Sequence, residues 1–82
     1  MSAIKQARQR IQRHPRERNA MTVARLVLAL ESHAKFPLAD LYLLDKDWFK
    51  LALRLLRQWR QDGRYAGKLR LFDLSMQIAA PQ

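Results

Sequence analysis

The chain has 82 residues, 49% hydrophobic and 28% charged, with a formal net charge of +9 and no cysteine. This is the composition of one folded domain, because a disordered chain lacks the apolar content to offset its conformational entropy. It excludes a disulfide framework, a cysteine-based zinc site and thiolate chemistry, and no apolar run approaches the ~20 residues a membrane-spanning helix needs.

The positive charge falls in two blocks. Residues 1–18 hold six cations against Glu17, and residues 48–70 hold seven against Asp62. Between them Arg25, Lys35 and Lys46 face Glu31, Asp40, Asp45 and Asp47. Clustered cations attract polyanions, whether nucleic acid, an anionic membrane or an acidic protein. The expected organisation is a basic N-terminal helix or arm over 1–18, mobile or weakly docked, and one helical domain over 19–82. A chain this short buries only about 60–65% of its unfolded surface, so a homodimer also stays open.

In residues 2–13, Ile4, Ala7 and Ile11 recur at helical spacing among Lys5, Arg8, Gln9, Gln12 and Arg13. The apolar stripe is thin, which is the reason to expect an arm. Pro15 ends this helix, since proline disfavours helical geometry at His14. The next helix is expected to start at Thr22, whose hydroxyl can cap it, with Met21 and Leu26 as a hydrophobic staple; Asn19 is the competing start. Val23, Leu26, Val27, Leu30 and Ala34 then line one face. Pro37 suits a first helical position, and Leu38, Leu41 and Leu44 behind it predict about two turns.

Asp45 is the expected N-cap of a helix over 46–62, flanked by the staple pair Leu44 and Phe49, with Gly63 as its C-cap. On a wheel of 100° per residue, Trp48, Phe49, Leu51, Ala52, Leu55, Leu56 and Trp59 cover more than half the circumference, with Leu53 and Arg60 at one border. An arc that wide requires two or more neighbouring elements, which makes this the central helix, and both tryptophans are expected in the core. Residues 68–78 fit two periods. Phe72, Leu74, Met76 and Ile78 alternate as a strand would, while Leu71 with Leu74 and Leu69 with Phe72 suit a helix. The fold class is mainly α: a small domain of three to four helices around 46–62, with a short C-terminal β-strand or hairpin over 68–78 as the open alternative.

The arc left over on helix 46–62 holds Lys50, Arg54, Arg57 and Gln61. A face chosen for solubility alone would mix glutamate with lysine, because such pairs stabilise a helix. This stripe has no acid between Asp47 and Asp62, so its like charges repel, and that cost suggests an anionic partner. Arginine forks pair bidentately with phosphate, which puts nucleic acid first, DNA or RNA. The candidate contacts are Lys5, Arg8, Arg13, Arg16 and Arg18 in the N-terminal block, with Lys46, Lys50, Arg54, Arg57, Arg64 and Lys68 in and beyond the helix. A helix-turn-helix-like regulator with 46–62 as recognition helix is one form of this reading, although Asp45 alone makes a short link and Asp47 would repel phosphate.

Catalytic chemistry is not visible. His14 and His33 stand apart from any metal-ligand pattern, Asp45 with Asp47 reads as a capping pair, and Gly63 and Gly67 make no phosphate-cradling loop. The sequence therefore predicts no enzyme, cofactor or metal. The alternative to nucleic-acid binding is a helical protein-interaction module or homodimeric adaptor that meets an acidic partner. A third reading lays the N-terminal helix on an anionic membrane, against which its thin stripe argues. Residues 1–18 are arginine-rich as organellar transit peptides are, but Glu17 and the scarcity of serine count against that, and the absence of cysteine suits the cytoplasm.

Overall fold

In a computed structural model describing residues 2–61 and 65–79, with the side chains of Tyr65 and Ala66 left aside, the regular structure is helical throughout. The helices are α1 (Ala3–Arg13), α2 (Arg18–Ser32), α3 (Leu38–Tyr42), α4 (Lys46–Gln61) and α5 (Tyr65–Ala79). The domain is therefore all-α among the described residues, with α4 where the pattern over 46–62 placed a helix. The expected cap at Gly63 lies outside the described residues.

Helix ends follow local chemistry. Ser2 caps α1, its Oγ accepting from the Lys5 N–H at 3.3 Å, and the helix closes at His14 just before Pro15. The start of α2 differs from expectation. It begins at Arg18, a full turn before Thr22, and Thr22 lies buried inside it at 3% exposure. Glu17 holds the N-cap position without a side-chain capping bond, because its carboxylate is turned to His14 Nδ1 at 2.8 Å. At the other end His33 adopts left-handed geometry (φ 57°, ψ 31°), and the Ala34 N–H reaches back to the Ala29 carbonyl at 3.0 Å. That is a Schellman closure with histidine where glycine is usual.

Helix α3 is shorter than the two turns expected. Its final carbonyls accept i→i+3 bonds, Asp40 from the Leu43 N–H and Leu41 from the Leu44 N–H, a tightened last turn that ends the helix. The link to α4 is consequently Leu43–Asp45, three residues rather than the single residue inferred from sequence.

Over 68–78 the helical reading is the one realised. Leu71 and Ser75, one turn apart, are fully buried, whereas Met76 is 45% exposed, so the period is helical and not alternating. As a helix, α5 packs on α2 and α1 and needs no partner strand. No strand or hairpin occurs among the described residues.

The N-terminal segment departs most from expectation. Helix α1 is not an arm beside a domain of 19–82; it packs against α4, α5 and α2 together. Ala7 and Ile11 have no exposed surface, and Ala3 and Ile4 have 5% and 4%. The stripe is thin because two of its four members are alanines. Small side chains let helices approach closely, so few apolar atoms suffice to bury the face. Helix α1 thus supplies one of the neighbours that α4's wide apolar arc demanded, covering Leu51, Ala52 and Leu55, which are 0–2% exposed. An apolar face used in this way is not available to a membrane surface.

Candidate nucleic-acid interface

Helices α1 and α4 run antiparallel, tied at both ends. At one end the Gln58 Oε1 accepts from the Ile4 N–H at 2.9 Å and from the Ser2 hydroxyl at 3.1 Å, so a side chain of α4 satisfies the exposed first turn of α1. At the other end Arg10 lies over the Trp48 ring, 5.4 Å from its centroid, and its Nη1 donates to the Asp47 carbonyl at 3.4 Å. From Asp47 to Gln58 is eleven residues, about 16 Å of helix.

This pairing lays parts of the two basic blocks along one helix seam, toward its opposite ends. Near Gln58 a shallow groove is lined by Ser2, Ala3, Arg54, Arg57, Gln58 and Gln61. Near Trp48 a larger cleft is lined by Gln6, Gln9, Arg10, Arg13 and His14 from the α1 side, with Glu17, Asp45 and Asp47 opposite. Lys50 stands on the α4 stripe between them, three residues after Asp47 and four before Arg54, and Lys50, Arg54 and Arg57 are all exposed. The field along this track is graded: cationic beside Arg54 and Arg57, mixed at the Trp48 end.

Several of the other candidates lie elsewhere. Arg8 is about 160° around α1 from Arg10, on the flank turned from α4, and Lys5 points outward. Arg16 and Arg18 are exposed in and after the turn that follows α1, and Lys46 is exposed at the first position of α4. Lys68 has a structural task. Its Nζ donates to the Trp59 carbonyl at 2.9 Å and sits 5.1 Å from that ring's centroid, closing the last turn of α4 where a cation is favoured. Arg64 lies outside the described residues.

Sequence reasoning passed over Arg10, Gln6, Gln9 and Gln58. The signal was present on the α1 wheel, where Gln6, Arg10 and Arg13 recur at i, i+4 and i+7. It went unread because a segment taken for an arm has no inward and outward faces. Trp48 is 7% exposed beneath Arg10 and Trp59 is partly buried, so the tryptophans serve packing, as expected, and offer no open stacking platform. One polar atom in the cleft stands out: Gln6 Oε1 is buried with no hydrogen-bond partner among the described residues.

Among the described residues no group of three or more His, Asp or Glu side chains is placed to hold a metal ion, and no helix is long and apolar enough to cross a membrane. The class defined by fold is a small all-α domain. Compared with known proteins, the chain matches no family model, no curated protein and no solved structure.

Proposed function

We propose that this chain is a small nucleic-acid-binding protein, cytoplasmic and without catalytic activity, that grips phosphates along the α1/α4 track. The observation supporting the reading is the antiparallel pairing itself. It sets Arg54 and Arg57 near Gln58 toward one end of the α1/α4 seam and Arg10 and Arg13 near Trp48 at the other, with Lys50 between them on α4. End to end the seam spans about 16 Å, the axial rise of roughly five phosphates on one strand of duplex DNA.

Phosphate contacts position a protein without reading sequence. The N-terminal end of α4, where a recognition helix would read bases, carries Asp45 and Asp47, which repel the backbone. The three-residue link before α4 fits a helix-turn-helix, but the five-residue α3 is a slight first helix, so affinity is expected to exceed sequence discrimination. The test is a titration against duplex DNA and structured RNA at several salt concentrations. Affinity should fall linearly in logarithm with salt; binding indifferent to salt, or absent at low salt, overturns the proposal.

A further inference from the structure

The opposite flank of α4 has another character. Leu38 is 72% exposed, Tyr42 79% and Leu43 63%. Tyr42 stacks on Phe49 with ring centroids 6.2 Å apart, which holds its ring against α4. Beside this ridge runs a groove lined by apolar side chains alone, among them Leu26, Leu30, Phe36, Leu41 and Leu56. Single exposed leucines are ordinary on a protein surface, but a contiguous ridge next to an apolar groove marks a docking face.

We propose that the occupant of this face is a second copy of the chain, docked about a two-fold axis so that the Leu38–Leu43 ridge of each copy enters the groove of the other. A two-fold interface must be complementary to itself, and a ridge adjoining a groove on one face meets that condition. Charge selects the same face. Two chains of +9 repel, yet residues 19–44, which supply the ridge and most of the groove, balance Arg25 and Lys35 against Glu31 and Asp40. Arg25 pairs with Asp40 at 3.7 Å beside the ridge, removing a further charge from the contact. An acidic protein or a nucleic acid is drawn instead to the α1/α4 track, on the other side of α4. The proposal does not depend on nucleic-acid binding. Its consequence for that reading is a dimer with two outward tracks, able to hold one long polyanion at two points.

Sedimentation equilibrium on the full chain from ~5 to ~500 µM tests it over the range where a moderate-affinity dimer forms. The expected result is a concentration-dependent rise from the 9.7 kDa monomer to twice that mass. The double variant Leu38→Ser, Leu43→Ser should stay at monomer mass with an unchanged helical melting curve, because both side chains are exposed. Arg54→Gln with Arg57→Gln should dimerise as the parent does. A parent chain that remains monomeric across the range overturns the proposal. So does a dimer that persists in the double serine variant, or one that is lost in the arginine variant.

Discussion

Asn19 and Asp45 hold each other by two hydrogen bonds. The Asn19 Nδ2 donates to Asp45 Oδ2 at 2.9 Å, and the Asp45 backbone N–H donates to Asn19 Oδ1 at 3.1 Å. This clasp fastens the first turn of α2 to the residue that precedes α4, so the track-bearing helix is anchored at its start by a helix distant in sequence. Asn19→Ala removes both bonds and should cost about 1–2 kcal/mol, whereas Asp45→Ala, which leaves the backbone bond intact, should cost less. Urea denaturation of the two single variants and the double variant measures this; additive losses would show that the pair is not coupled.

Helix α1 is core, and its removal should show that. Ile11→Ala empties a site with no exposed surface and is expected to cost about 2–5 kcal/mol. Deleting residues 1–14 should abolish the cooperative unfolding transition, since Leu51, Ala52 and Leu55 would lose their cover. A truncated chain that melts like the full one would restore the picture of a dispensable arm.

Ser75 is fully buried and its hydroxyl has no hydrogen-bond partner among the described residues. An unsatisfied buried polar group costs about 1–3 kcal/mol, so Ser75→Ala should raise the denaturation midpoint, the loss of a small volume taking back part of the gain. A lowered midpoint would mean that the hydroxyl has a partner in solution.

His33 ends α2 in left-handed geometry that costs a non-glycine residue about 1–2 kcal/mol. His33→Gly relieves that steric cost while loosening the unfolded chain, for a net stabilisation of about 0.5–1 kcal/mol. Thermal melts of the two proteins compare directly, because His33 is exposed and makes no core contact.

The nucleic-acid reading predicts a pattern among cations. Arg57→Gln and Lys50→Gln should each weaken binding to all sequences alike and lower the salt-dependence slope by about one. Arg8→Gln, on the far flank of α1, should leave the slope unchanged, and Lys68→Gln should lower stability more than affinity. Equal effects at all four positions would indicate attraction by net charge with no defined track.

Much of the helical plan was legible in the residues. Pro15 marks the end of α1, the apolar arc from Trp48 to Trp59 marks α4 and its buried side, and the unbroken positive sign of Lys50, Arg54 and Arg57 singles out the face left to solvent. These are local properties, set by helical period and by what a proline or an acid does within one turn. Tertiary structure alone decided the rest. The 68–78 segment satisfied two periods until the faces of α2 and α1 gave a helix something to pack on. The three apolar residues of α1 looked too few, because a hydrophobic count does not register how closely alanines let two backbones approach. Nothing in the spacing of residues 10 and 54 says that they stand along one helix seam; the antiparallel contact of two helices, closed by Gln58 on Ile4 and Arg10 on Trp48, puts them toward its two ends.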